Sequence, residues 1–343
     1  MKALTFARYG KSPGIGFAEV PHPTLQPDEL LVEVHAVGVN PIDNMIPTGI
    51  FKPVLNMRLP ATLGSDVAGI VVDVGSRVTR FKPGDAIFAS VFDLDRGTLA
   101  EFVAVPERLA APKPANLDFV QAASIPMVGL TSWQALTERA HVRAGQKVFI
   151  PAGAGGIGTF AIQLARHLGA RVATTTSTGN VPLVTGLGAD EVIDYTKQDF
   201  ETVLRGYDVV LGTLRGDTLE KSVAILAPGG RIVSLVGPLD PAFARERHLN
   251  VVLAFVFGWM SRKIRRLAKA HGATYAFLFA RPDGRQLAAV GELLAAQRIR
   301  PVVDKVFPFE QAKEALDYLA QGRAKGKIVV RLTPAATYSA ATP

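Results

Sequence analysis

The feature that most constrains this chain is a glycine spacing: Gly153, Gly155 and Gly158 in the segment PAGAGGIGTF. Alone, G-x-G-x-x-G carries little weight in a chain with 32 glycines. Its setting carries more. The apolar run KVFIPA (147–152) precedes it, TFAIQLARHLG (159–169) follows as a helix ending in glycine, and RVATTT (171–176) is a second strand. Such a βαβ unit suits a pyrophosphate. The first glycine permits a tight turn, the second lets backbone N–H groups approach the phosphates, and the third lets the helix pack close to the sheet. The helix N-terminus then favours the negative charge. Gly153, Ala154, Gly155, Gly156, Ile157 and Gly158 are therefore the candidate dinucleotide-binding turn. A Walker A loop needs Gly-Lys-Ser/Thr, and here Thr159 follows Gly158 directly.

The alternation continues beyond this unit. VPLVTGLGA reads as helix, EVIDY and YDVVLGT as strands, TLEKSVAILAPGG as a helix ending at Pro-Gly-Gly, and RIVSLVG as a strand. The rhythm predicts an α/β fold, a doubly wound parallel sheet of Rossmann type. Thr213, Leu235, Val236 and Gly237 end later strands, on the carboxyl edge where a ligand binds in such sheets. The first 110 residues differ: short alternating runs broken by Gly and Pro predict a small β barrel.

The second strand ends in Thr174, Thr175, Thr176, Ser177, Thr178, Gly179 and Asn180. An NAD site usually places Asp or Glu there for the ribose hydroxyls. This stretch holds no carboxylate and offers hydroxyl donors, which favours NADPH, with Thr175, Thr176, Ser177 and Asn180 as candidate contacts. The expected cation for a 2′-phosphate is missing between Val172 and Gly188, leaving Arg171 as the candidate.

The chain has no cysteine, which excludes disulfides, Fe–S clusters, a Cys-ligated zinc and a thiol nucleophile. The six histidines never stand within four residues of one another, so no metal site is expected. No signal peptide is evident and no apolar run reaches membrane-spanning length, so a cytoplasmic protein is the expectation. The net charge is +8, with basic residues mostly scattered, and no nucleic-acid partner is expected. Gly10-Lys11-Ser12-Pro13-Gly14 matches G-x-S-x-G, but Pro13 has no N–H for an oxyanion hole.

Several segments in order and spacing carry a resemblance: VGVNPIDNMIPTG (37–49), LPATLGSDVAGIVVDVGSRVTRFKPGDAIFA (59–89), AASIPMVGLTSWQAL (122–136), the glycine loop, LGADEVIDY (187–195) and GKIVV (326–330). The chain resembles the medium-chain dehydrogenase/reductase superfamily, in its zinc-independent quinone oxidoreductase-like branch. The resemblance implies a GroES-like β-rich catalytic domain, 1–122 with 299–343, and a Rossmann domain, 123–298, with an active site in the cleft between them. Asn40 stands where zinc-dependent members have Cys, and Ser65 where they have His.

The same resemblance implies the site residues. Asn40, Pro41 and Asp43 of the N-P-x-D segment line the cleft, with Asn40 donating to a substrate carbonyl or holding the nicotinamide ribose. An Asn stabilising its own turn before Pro41 is the alternative. Asp43 orients neighbours or carries a proton. Thr131 lies near the nicotinamide, Tyr195 flanks the adenine, and Lys327 reaches the cofactor or is a surface lysine. Met45 replaces a tyrosine and Gly212 an aspartate of many relatives.

Two functions follow. One is an NADPH-dependent, zinc-independent oxidoreductase that passes hydride to a quinone or an α,β-unsaturated carbonyl, a small hydrophobic electrophile, in a homodimer. The other is an NADPH-binding redox sensor or RNA- or membrane-associated protein with little turnover. The apolar and basic stretch 249–269 is open to four readings: a packed helix with a solvated basic face, a substrate lid, a dimer surface, or a peripheral membrane contact.

Overall fold

The computed structural model describes residues 1–55 and 57–332, so the expected frayed tail, TPAATYSAATP, lies outside the described residues. The chain forms two units, one from residues 1–130 and 281 onward, the other Thr131–Ala280.

The second unit is built on a six-stranded sheet, parallel throughout. Its spatial order is Glu191–Asp194, Arg171–Thr176, Lys147–Ile150, Tyr207–Gly212, Leu226–Ser234, Thr274–Phe277. Numbered along the chain, that order is 3-2-1-4-5-6, the doubly wound arrangement of a Rossmann sheet. The strands are near-continuous apolar runs because helices cover both faces. Phe149, Ala173, Ile193, Val210 and Ile232 share one buried cluster with Phe200, Leu219 and Val223 from the covering segments. One expected helix is shorter than read. It spans Thr218–Val223, and Leu226–Ser234 already runs as strand through Pro228 and the two glycines. The stretch beyond Leu249 forms two helices, Val251–Met260 and Arg262–Ala270.

In the first unit, the long strand Glu29–Val39 is the organiser. One edge pairs with Asp66–Val74. The other pairs first with Phe102–Pro106 and then with Lys327–Arg331. Lys327–Arg331 also pairs in parallel with Val303–Pro308. A separate three-stranded sheet joins Ile15–Glu19, Lys2–Phe6 and Ala61–Thr62. Leu4, Phe6, Val32, Val67, Ile87, Val105, Ile328 and Val330 belong to one core cluster, so strands nearly three hundred residues apart bury a common face.

The unit seams differ from the expected ones at 122/123 and 298/299. They fall at 130/131 and 280/281. The physical reason is the helix Gly284–Ala295. Its buried residues include Leu287, Val290 and Leu294, it packs on the strand Ala110–Pro112, and Leu294 O accepts from Asn116 Nδ2 at 3.1 Å. It therefore belongs with the β-rich unit.

Candidate functional site

The two units carry two candidate half-sites. In the nucleotide-type unit, the glycine turn leaves the first strand at the point where strand order reverses, between Lys147–Ile150 and Tyr207–Gly212. Ligands bind at such switch points. Thr213 Oγ1 donates to Pro151 O at 2.8 Å and ties the two strand ends together. The turn is held to the second strand as well: Ala152 N–H donates to Thr175 Oγ1 at 3.0 Å, and Gly153 N–H to Thr175 O at 2.9 Å.

The helix Gly156–His167 starts on Gly155, which gives it no side-chain cap. Its first N–H groups are thus left for another acceptor. The glycines have different physical reasons. A Cβ on Gly158 would strike Ala152 O and sit 2.7 Å from Gly153 Cα, so the helix could not approach the turn. A Cβ on Gly155 would meet only Ala152 O, at 3.3 Å. Among the described residues nothing else comes within 4 Å of that position, which is the fit a diphosphate needs. The left-handed residue of the turn is Ala152, at φ 56°.

At the end of the second strand, Thr175 and Thr176 are buried and Ser177 Oγ accepts from Asn180 Nδ2 at 3.2 Å. The stretch 174–180 itself holds no carboxylate, but one lies on the strand beside it. The neighbouring strand ends in Asp194, which accepts the Thr178 hydroxyl and the Thr196 hydroxyl and N–H. Those hydroxyls hold its carboxyl well below the usual range, so it is ionised. Lys197 Nζ lies 3.3 Å from it. Arg171, the cation proposed from sequence, opens its strand opposite Lys147, at the end away from the carboxyl edge. Lys197 is the cation that the fold brings to this edge. Tyr195 is 62% exposed, so it is no buried sheet-edge aromatic. Leu235 N–H donates to Gly212 O at 2.9 Å and Ser234 Oγ to Gly237 O at 2.8 Å, which folds the Leu235–Gly237 turn back onto its strand end. Thr131 is buried on the helix Pro126–Trp133.

In the β-rich unit, Asn40, Asp43, Ser65, Asp66 and Lys327 converge in one buried cluster. The strand Glu29–Val39 ends at Asn40, which caps the short helix Pro41–Met45, with Pro41 in its first turn. Asp43 Oδ2 accepts the Asn40 N–H at 2.7 Å, and its Oδ1 accepts Ser65 Oγ at 3.0 Å. The Asn40 amide nitrogen faces Ser65 Oγ at 3.1 Å and donates to Asp66 Oδ2 at 2.9 Å. Lys327 Nζ donates to Val39 O at 2.8 Å and to Asn40 Oδ1, and lies 3.8 Å from Asp66 Oδ2. An ammonium only donates, so it fixes which end of the Asn40 amide is oxygen.

This geometry revises two expected roles. The Asn40 amide hydrogen-bonds within the cluster, its nitrogen to Gly38 O, Ser65 and Asp66 and its oxygen to Lys327, rather than pointing at open space. Lys327 is buried, neither a surface lysine nor in reach of open solvent. Asp66, which sequence reading did not single out, is fully buried and also accepts the Met127 N–H at 3.1 Å. It thereby anchors the start of the helix that carries Thr131. Alternation would not have found it, since Asp66 shares its strand face with the partly buried Ile70 and Val72 while Val67 and Val71 face the core.

Burial sets the electrostatics. It pushes the Asp66 carboxyl up, against the opposing pull of Lys327 and Asn40. It pushes the Lys327 ammonium down, against Asp66 and Asp43. Asp43 is raised to about 7, chiefly by burial, with the charge of Asp66 adding to it and the Asn40 N–H opposing. Asp43 and Ser65 line a small recess of about 20 Å³ with mixed walls, Ile46, Met57, Val91, Phe92 and Leu94 together with Thr62, Asp93 and Arg96. A carboxyl that titrates near neutrality therefore borders a recess.

Asp43 makes a pH prediction. In the unfolded chain it ionises near 4, and in the folded chain near 7. The folded state holds the extra proton between those values, so this stability is complete below the lower one and lost as pH rises through the upper one. Asp43→Asn is expected to flatten that loss, up to about 4 kcal/mol, in urea titrations at acid and alkaline pH.

Comparisons with known proteins fit this architecture. Residues 26–115 match the family described as alcohol dehydrogenase GroES-like domain, and 187–330 match the family described as zinc-binding dehydrogenase. The NAD(P)H oxidoreductase RTN4IP1, mitochondrial, of Danio rerio is 34% identical over 97% of this chain and 91% of that protein. The chain belongs to the medium-chain dehydrogenase/reductase superfamily, quinone oxidoreductase-like. The NADPH-dependent alkenal/one oxidoreductase, chloroplastic, of Arabidopsis thaliana is also 34% identical, over 97% of the chain and 80% of that protein. The solved quinone oxidoreductase from Coxiella burnetii superposes with a TM-score of 0.84 at 30% identity, covering 97% of this chain and 99% of that one. This quinone oxidoreductase-like chain is thus an oxidoreductase with a GroES-like β-rich unit and a Rossmann unit, as the sequence implied.

Proposed function

We propose that this chain is an NADPH-dependent, zinc-independent reductase of quinones or α,β-unsaturated carbonyl compounds. The observation that carries the reading is the Lys327 ammonium at the heart of the buried cluster. Asn40 and Ser65, at the positions where zinc-dependent relatives have Cys and His, face each other at 3.1 Å, and Lys327 donates to Asn40. An amide, a hydroxyl and a fixed positive charge make a poor donor set for a second cation. The chain already holds a charge where those relatives hold a metal.

The backbone of Gly153–Gly158 would bind the diphosphate, with Ala154, Gly156 and Ile157 supplying N–H groups. Ser177, Asn180 and Lys197 would hold the 2′-phosphate end, with the Asp194 charge already spent on Thr178, Thr196 and Lys197. The exposed Tyr195 ring would cover the adenine, and Thr213 and the Leu235–Gly237 turn would border the nicotinamide half. When bound, the reduced nicotinamide supplies a hydride. The small recess beside Asp43, with Met57, Phe92 and Leu94 among its walls, would take the carbonyl end of an acceptor, and the Asp43 carboxyl would give it a proton near neutral pH. This offers a proton source where Met45 replaces the tyrosine. The relative named as an alkenal/one oxidoreductase with NADPH and the solved quinone oxidoreductase support the same acceptor class.

The test is consumption of NADPH, with NADH in parallel, against a panel of quinones and enones. Turnover is expected with NADPH well above NADH, and added zinc or a chelator leaves it unchanged. Cofactor binding without consumption across the panel overturns the acceptor class, and loss of activity on chelation overturns zinc independence.

A further inference from the structure

The helix Val251–Met260 has no role in either half-site and is unusual in what it exposes. Val251 is 81% exposed, Phe255 78% and Trp259 70%, with Val252, Val256 and Met260 beside them. These positions recur at i, i+1, i+4, i+5, i+8 and i+9, so they form one stripe along the helix. Only Phe257 of this helix is buried. A contiguous exposed apolar stripe of this kind marks a surface that is covered in use.

Charge says what covers it. From Arg247 to Ala280 the chain carries six Lys and Arg residues (Arg247, Arg262, Lys263, Arg265, Arg266, Lys269) and no Asp or Glu. The net charge of the whole chain is +8, so this segment holds most of it. Arg262–Ala270 follows the apolar helix with one residue between, and Ser261 continues the hydrogen bonding, its N–H donating to Phe257 O and its O accepting from Arg265 N–H at 3.0 Å. Ile264 and Ala268 turn inward and the cations turn outward. Among the described residues, Lys263 is the cation of this helix that is ion-paired, with Glu220.

A second copy docked stripe to stripe would cover the apolar residues but offer the basic helices no counter-charge, since neither segment carries a carboxylate. A partner that is both apolar and anionic meets both features at once. We propose that the Val251–Met260 stripe and the Arg262–Lys269 cations dock the protein on the surface of an anionic lipid bilayer. The helix lies in the interface with Phe255 and Trp259 among the acyl chains, and the cations meet lipid phosphates. It does not cross: among the described residues no helix is long and apolar enough to span a membrane.

The experiment is co-sedimentation of the full chain with phosphatidylcholine vesicles, with and without about one-third phosphatidylglycerol. Trp259 emission is followed in parallel, with Trp259→Phe assigning it against Trp133. Binding is expected to be at least about tenfold stronger on anionic vesicles and to weaken as salt rises towards about 1 M, with a blue shift of Trp259. Phe255→Ser with Trp259→Ser abolishes co-sedimentation with the vesicles, and Arg265→Glu with Arg266→Glu removes the preference for anionic lipid. All four positions are exposed, so the variants keep the fold and their dinucleotide affinity. No binding to anionic vesicles at low salt overturns the proposal. So does a concentration-dependent dimer that Phe255→Ser dissociates in the absence of vesicle binding. Salt-sensitive binding to RNA that survives Phe255→Ser with Trp259→Ser, again without vesicle binding, also overturns it.

Discussion

Replacing Lys327 with methionine is expected to cost about 3–5 kcal/mol of folding stability, the cost of breaking a buried charge pair from one side. The methionine can fill the volume but cannot donate. Val39 O and Asn40 Oδ1 both lose a donor, and Asp66, whose Oδ1 has no hydrogen-bond partner among the described residues, loses its neighbouring positive charge. The Asn40 amide is then free to turn over, and the ordering of Ser65 and Asp43 goes with it. A double-mutant cycle gives the decisive number. Asp66→Asn alone also destabilises, because Lys327 is left uncompensated. Combined with Lys327→Met it removes both charges, and the two losses are expected to fall short of their sum by at least about 1 kcal/mol. Strict additivity in urea titrations would mean that the two groups do not act as a pair. Activity is expected to fall with stability in the single variants and to stay low in the double variant, where Asn40, as in Lys327→Met alone, has no cation to orient it.

The second large effect separates two glycines three residues apart. Gly158→Ala puts a methyl against the backbone of Ala152 and Gly153, which cannot move aside as a side chain can. The helix must shift, and a loss of about 1–3 kcal/mol in stability is expected together with loss of dinucleotide binding. Gly155→Ala is different. Its φ of −77° is ordinary for any residue, and the nearest atom to the new methyl is 3.3 Å away. Stability is expected to change by less than about 0.5 kcal/mol. Dinucleotide affinity is expected to fall about tenfold to a hundredfold, because the methyl occupies the space that the phosphates need. Calorimetric titration of both variants with NADPH reads the difference. Wild-type affinity in Gly155→Ala would remove the diphosphate from this turn.

What could be read in the sequence divides along a physical line. The Rossmann unit announces itself locally: each strand, turn and helix of 147–176 lies next to its partner in the chain, and propensity, periodicity and glycine spacing all report on neighbours. Strand Arg171–Thr176 was legible to the residue. The polar cluster was not, because its members meet over long distances. Lys327 and Val39 are 288 residues apart, and Asn40 and Asp66 are 26 apart. Asn40, Asp43 and Lys327 could be singled out, but only pairing of Lys327–Arg331 with Glu29–Val39 reveals that they are joined in one hydrogen-bonded cluster. Arg171 failed for a simpler reason. Sequence distance put it near the ribose turn, while the length of an extended strand carries it to the opposite edge. The helix Gly284–Ala295 misled for the opposite reason. Its helical pattern is clear, but nothing local says which unit its buried face will meet.

The placement of Lys327–Arg331 has a consequence for the order in which the protein forms. This strand lies between Val303–Pro308 and Glu29–Val39, inside a sheet whose other members come from the first 112 residues. During synthesis the Rossmann unit has all of its strands once Phe277 is made. The β-rich unit begins first and must wait, with the Ala36–Val39 end of one strand edge unpaired and Asp66 without its cation, until Arg331 has been added. A chain halted before Gly326 would thus carry a complete nucleotide unit and an unfinished β-rich one. The polar cluster around Asn40 closes only after every strand of the Rossmann unit has been made.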